Sequence, residues 1–260
     1  MFSEKVSEGV SVLGIGVDPL TVPELHGRIA DAVQAEDRAT FLHVNVHALN
    51  LACRHPWLHD YLNSADLVVC DGAGVQLAAR LLGGRLPARI TYADWIWQLA
   101  AFAEREGFTM FLLGARPGVA REAARRLEER HSRLDIVGCH HGYFDHRLDS
   151  VDNHRVLEAI NAASPDILIT AFGMPLQERW LADNRVRLDV RVALAGGAVL
   201  DYVSGRLARG PRWMTDNGLE WLARLLIEPG RLWRRYLVGN PQFLGRVVLQ
   251  RLRMRFRLSQ

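Results

Sequence analysis

The stretch "DILITAFG", Asp166–Gly173, followed by "PLQERWLADNRV", Pro175–Val186, decides the fold. Its first part is an unbroken apolar run that stops at glycine, and its second part has helical spacing. The same unit recurs along the chain. "MFLLG" (Met110–Gly114) leads into "VAREAARRLEERH" (Val119–His131), "DIVG" (Asp135–Gly138) into a loop, and "VRVALAGG" (Val190–Gly197) into "AVLDYVSG" (Ala198–Gly205). A strand covered on both faces has no polar side to alternate with, so runs of this kind between helices predict a mainly parallel sheet inside two helical layers.

Earlier in the chain, Val10–Val17 reads as a strand, and Thr21 with Glu24 makes a capping-box pattern opening a helix toward Gln34. A strand at Thr40–Val44, helical stretches to Asn63, a short strand at Leu67–Val69 and a helix at Val75–Leu82 follow. The expected class is α/β, a mainly parallel Rossmann-like sheet flanked by helices. Ligands of such sheets bind at the carboxyl ends of the strands, where Asp71, Gly114, Gly173 and Gly196 fall. "LGIGVDP", Leu13–Pro19, has two glycines of a dinucleotide fingerprint and then proline, so no G-x-G-x-x-G is present.

Beyond Asp201 the pattern changes. "RLARGPRWMTDNG", Arg206–Gly218, is basic and turn-rich, and helical stretches follow at Leu219–Leu226, Gly230–Val238 and Gln242–Arg257, broken by Pro229 and Pro241. A boundary near Gly205 divides an α/β domain, residues 1–205, from a basic, amphipathic helical appendage, residues 206–260. From Leu219 onward nine arginines face two glutamates, so the net charge of +3 conceals a basic tail on an acidic body. Apolar helices studded with arginine fit an anionic membrane surface, at about 1 kcal/mol per basic residue close to it. A solvated helix end or a nucleic-acid patch is the competing reading.

With 260 residues, 49% of them hydrophobic, the chain can bury one α/β core plus an appendage. Cys53, Cys70 and Cys139 are odd in number and lack metal-ligand spacing, which reads as core thiols in a reducing compartment. Lys5 is the only lysine, so Schiff-base and P-loop lysine chemistry are excluded from the folded body and phosphate must be held by arginine or backbone. The N-terminal stretch lacks the charged start and cleavage site of a secretory signal. No segment reaches the roughly 18 to 20 apolar residues of a membrane span. A soluble or peripheral protein is expected.

Two motifs can carry chemistry. In "ADLVVCDGAGV", Ala65–Val75, an aspartate ends a buried strand, where a partly desolvated carboxylate can serve as general base; a helix-capping aspartate is the alternative. In "FGMPLQERW", Phe172–Trp180, Gln177 and Glu178 occupy the first helical turn at the ligand edge, where Gln177 can read an amide, hydroxyl or uracil edge and Glu178 can simply favour the helix N-terminus. His43, His47, His55 and His59 form two i, i+4 pairs but no third ligand completes a metal set, and no D-x-D is present to grip a metal-bound nucleotide diphosphate. Neither metal nor cofactor is expected.

"DGAGV", "LLG", "GMPLQERW", "AGGAVLDYVSG" and "RGPRWMTDNGLEWLARLLIEPGRLWRRY", in this order and spacing, resemble the WecG/TagA/CpsF family of bacterial glycosyltransferases (glycosyltransferase family 26) over nearly the whole chain. The resemblance implies metal-independent, inverting transfer from a UDP-sugar donor to a polyprenyl-diphosphate-linked saccharide in cell-surface or exopolysaccharide synthesis. The enzyme would be cytoplasmic and peripheral on the inner membrane face. Asp71 matches the family's base and Asn45 its asparagine after the second strand, with His43 two residues before it. Arg89 and Gln177 match substrate-binding positions, which Gly114 and Glu178 join from the ligand edge. Arg224, Arg231 and Arg234 match arginines that close over the nucleotide diphosphate.

The chain departs from the family at His43, where threonine is frequent, at Ala93 for glycine, at Gly210 in "RGP", and at Leu176 for lysine. The donor sugar stays open among N-acetylmannosamine, glucose and glucuronate. Expected partners are the donor, the lipid-linked acceptor and an anionic membrane; nucleic acid is not expected, and a homo-oligomer is admitted. Two rivals are weighed. A nucleotide-sugar epimerase or dehydrogenase needs the absent glycine fingerprint and a Tyr-x-x-x-Lys pair, and a non-enzymatic basic membrane- or RNA-binding α/β protein leaves the D-G and Q-E motifs unexplained.

Overall fold

A computed structural model describes residues 9–258, without the side chains of Arg257 and Leu258. The N-terminal stretch that bears on a leader, Lys5 included, lies outside the described residues. The strands are β1 (Val10–Val12), β2 (Ile15–Val17), β3 (Ala39–Val44), β4 (Leu67–Cys70), β5 (Thr109–Gly114), β6 (Asp135–His140), β7 (Ile167–Ala171) and β8 (Val192–Ala195). A parallel sheet of six has the order β4-β3-β8-β7-β5-β6, and β1 pairs with β2 in a separate antiparallel ribbon. The α/β class and parallel sheet read from the apolar runs are therefore the observed architecture.

The chain packs into two compact units. One comprises Val22–Leu42 and Tyr92–Leu207. In it β7 and β8 are buried along their whole length, as their unbroken apolar sequence requires. The single hydroxyl among them, on Thr170, donates to the Leu194 carbonyl at 3.0 Å, so the core holds no orphaned polar group there. The Asp166 carboxylate accepts from both the amide and the hydroxyl of Thr109 at 2.8 and 2.9 Å, fixing β7 against β5 at their starts. Two helices that the sequence reading leaves unnamed complete this unit, Tyr92–Glu106 and Val151–Ala163. The first buries Trp95, whose indole N–H donates to His26 at 3.0 Å; burial, with Arg105 adding to it, pushes that histidine down to about 4, so it accepts as a neutral ring. The second is capped by the Ser150 hydroxyl, which accepts from the Asn153 amide.

The other unit comprises His43–Thr91 and the chain from Ala208 onward, with the described part of the segment before Val22. The stretch Val10–Val17, expected as one strand, is a hairpin. Leu13 and Gly14 both have positive φ, 54° and 83°, the requirement of a primed two-residue turn, and leucine in that position gives no sequence warning. Asp18 bridges to Val69 on the outer side of β4, which helps to bury that edge strand.

The C-terminal helices also depart from expectation at one point. Pro229 starts a helix, as expected, but Pro241 does not break one: Gly239–Leu258 is helical throughout. The preceding turn, Arg234–Val238, is a π-helix, with the Gly239 amide reaching back to the Arg234 carbonyl. Pro241 lacks an N–H and its ring presses on the carbonyl four residues back in an ordinary α-turn, and a wider turn relieves both problems. The long helix buries Phe243 and Val247, and Asn50 donates to the Gly239 carbonyl at 2.8 Å while accepting from Arg246. Gln250 accepts from the Leu13 amide at 2.8 Å and donates to the Ser11 carbonyl, tying the helix to the hairpin turn.

Candidate active site

At the end of β4 the chain turns through Asp71 and Gly72. The Asp71 amide donates to the Val44 carbonyl at 2.8 Å, which continues the β4–β3 pairing by one residue and sets the aspartate beside Asn45. Gly72 has φ +131°, a conformation that L side chains rarely adopt, and it releases the chain directly into the helix Ala73–Leu81. Asn45 caps the helix Val46–Ala52. Its Oδ1 accepts from the amides of His47 and Ala48 at 3.0 and 3.2 Å, and this fixes the amide so that Nδ2 points to Asp71 Oδ2 at 3.4 Å. An ordinary helix cap thereby orients a donor toward a carboxylate.

Asp71 opens onto a cavity of about 500 Å³ also lined by Asn45, His47, Arg89, Glu220, Arg224 and Arg235, with apolar lining from Leu77, Trp221, Phe243 and Leu244. Burial, then the nearby Glu220, pushes Asp71 up to about 6, against the Asn45 hydrogen bond and the opposing pull of Arg224 and Arg235. His47 falls to about 4, through burial first and then Arg235, Arg54 and Arg224, so it is a neutral ring. The Arg89 guanidinium donates to the Thr215 carbonyl at 2.8 Å, which holds the short helix Arg212–Asp216 at the site. Cys70, next to Asp71, is a core thiol pushed up to about 12 by burial and by that aspartate.

Of the residues expected at a site, Asn45, Asp71, Arg89 and Arg224 line this one cavity. His43 belongs to buried β3; burial alone takes it down to about 3, so it does not titrate near neutrality. Arg231 pairs with Glu228 on an exposed surface, and Arg234 lies over the Trp233 ring at 5.1 Å. The cavity instead receives Arg235, together with Glu220 and His47. Among the described residues no group of three His, Cys, Asp or Glu is gathered as a metal set.

Gln177, Glu178 and Gly114 belong to the first unit. Gln177 is fully buried; its Oε1 accepts from the amides of Gly173 and Gly197 at 3.1 and 3.0 Å, and its Nε2 donates to Glu178 at 2.7 Å. The side chain thus clamps the loops that leave β7 and β8, with both ends in use. Glu178 is pushed up to about 7 by burial, and its Oε2 has no hydrogen-bond partner. At Gly114, φ is +151° and a Cβ would stand 2.5 Å from the Ala171 carbonyl oxygen, so the glycine answers to its neighbour strand.

The chain matches known proteins over most of its length. Residues 10–257 match the pattern described as "Glycosyl transferase WecG/TagA/CpsF family". A Bacillus subtilis (strain 168) protein named N-acetylglucosaminyldiphosphoundecaprenol N-acetyl-beta-D-mannosaminyltransferase is 32% identical over 178 residues, 68% of this chain and 67% of that protein. A Staphylococcus aureus (strain MRSA252) protein of the same name is 27% identical over 241 residues, 92% of each chain. A match that runs from the hairpin at β1 almost to the end of the last described helix takes in every residue of the Asp71 cavity, and the chain belongs to the WecG/TagA/CpsF family of glycosyltransferases.

Proposed function

We propose that the cavity carries inverting transfer of a sugar from a UDP-sugar to a polyprenyl-diphosphate-linked saccharide, with Asp71 as general base. The carrying observation is Asp71 itself, a carboxylate raised to about 6, held by Asn45 and faced by arginines. In a single displacement the acceptor oxygen bonds to the anomeric carbon as its proton passes to Asp71. The bond from that carbon to the diphosphate oxygen breaks, and its electron pair leaves with UDP. Arg89 and Arg224 offer positive charge to the departing diphosphate. The relatives' names support the acceptor class and bring N-acetylmannosamine forward as donor. The experiment is turnover of candidate UDP-sugars on a short-chain lipid-linked acceptor, wild type beside Asp71→Asn.

The pH dependence follows from the same carboxyl group. Below about 6 the base is protonated, so kcat/KM falls roughly tenfold per pH unit on the acid side and levels off above it. A rate profile flat from pH 5 to 8 removes Asp71 from the role.

Lipid-linked substrate calls for a peripheral enzyme, and no helix among the described residues is long and apolar enough to cross a membrane. The exposed side of Gly239–Leu258 presents Leu249, Leu252 and Phe256 among arginines, which fits an anionic inner leaflet. Truncating this helix would strip Phe243 and Val247 from the core, so surface substitution is the cleaner test. Replacing Leu249, Leu252 and Phe256 by serine together is expected to release the protein from anionic vesicles in co-sedimentation at low salt. Undiminished sedimentation excludes this face as the contact.

A further inference from the structure

The lining of the Asp71 cavity holds two chemically different sets of residues. One is polar and includes Asn45, Asp71 and Arg89. The other is an apolar and aromatic wall of Leu77, Trp221, Tyr236, Leu237, Phe243 and Leu244. Three of these leucines stay open, with Leu77 46%, Leu237 56% and Leu244 40% exposed, and Val248, one turn beyond Leu244 on the same helix face, is 51% exposed. The apolar wall therefore continues out of the cavity onto the helix surface. Arg235 also lines the cavity. Its guanidinium lies over the Tyr236 ring at 5.5 Å, and its Nε is shut from water with no hydrogen-bond partner. A planar fork of N–H donors, held against an aromatic face and short of an acceptor, matches phosphate oxygens.

We propose that Arg235 binds the diphosphate of the acceptor, and that Leu77, Leu237 and Leu244 carry the first isoprenoid units attached to it. The inference rests on the reading of Asp71 as the base and adds which of the two diphosphates in the reaction Arg235 takes. The guanidinium alone does not choose between them. The wall does: a nucleotide donor flanks its diphosphate with ribose and sugar, both rich in hydroxyls, whereas the acceptor's diphosphate is esterified to hydrocarbon. Only the second leaves an apolar segment to cover the exposed leucines. The charge balance agrees, since Arg89, Arg224 and Arg235 outnumber Asp71 and Glu220 around the cavity and His47 is neutral.

The test is calorimetric titration of the full-length protein with farnesyl diphosphate, inorganic pyrophosphate and UDP. Farnesyl diphosphate is expected to bind at least about tenfold more tightly than pyrophosphate, and Arg235→Gln to weaken it about tenfold while leaving UDP within about twofold. Leu237→Gln, at an exposed position with little bearing on folding, is expected to weaken farnesyl diphosphate about fivefold and leave pyrophosphate unchanged. Equal affinity for farnesyl diphosphate and pyrophosphate, a Leu237→Gln variant that binds like wild type, or an Arg235→Gln variant that loses UDP as strongly as farnesyl diphosphate each overturns the assignment. Should Arg235→Gln fail to fold, the first two results still decide. Turnover of Asp71→Asn is measured beside these titrations, so an error in the base assignment shows in its turnover and an error in the subsite shows in the binding of the Arg235 and Leu237 variants.

Discussion

Asp71→Asn is expected to lower turnover by about 10² to 10⁴-fold while leaving the fold intact, because the amide fills the same space and keeps its contact with Asn45 but cannot take the acceptor proton. The loss falls on kcat, with the donor's KM nearly unchanged, as expected of a group that acts in the transition state. Stability moves the other way. Burial raises the Asp71 carboxyl from 3.8 to about 6, so its ionised form is less favourable in the folded protein than in the unfolded chain. Its contribution to folding is fully present below pH 4 and is lost as pH rises through 6. Asparagine removes that penalty, and the variant should melt at or above the wild-type temperature at pH 7.5. Turnover within threefold of wild type, measured as acceptor-dependent UDP release, rules out Asp71 as the base. Normal melting in the same sample shows that a fall in rate is chemical.

Arg224→Ala should cost about 10² to 10³ in kcat, the size seen when one donor to a developing negative charge is removed. Its helix, Glu220–Ile227, brings it into the cavity, where it acts on Asp71 by its field; in the proposed transfer it also meets the leaving diphosphate. Two readouts separate those effects. Removing the cation raises the Asp71 carboxyl further, so the acid limb of the rate profile moves to higher pH. Arg224→Lys restores the charge without the planar fork and should keep that limb in place while recovering part of the rate. An Arg224→Ala enzyme with wild-type kcat defeats the assignment.

The parts of this molecule that were legible in sequence are those in which one physical demand acts alone. A strand buried on both faces must be apolar throughout, so β5, β7 and β8 could be read directly from "MFLLG", "DILITAFG" and "VRVALAGG". Asp71 was legible for a related reason, as an acidic residue that ends such a run. What could not be read depends on backbone phase. Arg231, Arg234 and Arg235 lie within five positions, and the residue facing the cavity is decided by the break at Glu228 and by the wide turn that follows, neither of which side-chain periodicity reports. The hairpin at Leu13 and Gly14 hides behind a leucine in a glycine-like conformation. Gln177 shows a third limit: the sequence places an amide at the ligand edge but cannot show that two glycine amides turn back to occupy it.

The π turn at Arg234–Val238 makes this the one place in the described C-terminal helices where chain length has slack. It holds one residue more than an α-turn and takes up that residue locally, so loss of a single residue there permits ordinary α geometry while the helix beyond keeps its face. Phe243 and Val247 would stay toward the core and Gln250 toward the hairpin. The same loss inside Gly239–Leu258 has no such slack and would turn everything beyond it by about 100° around the helix axis, so a one-residue gap between Arg234 and Gly239 in a comparison of relatives is compatible with the same final helix, and a gap farther along is not.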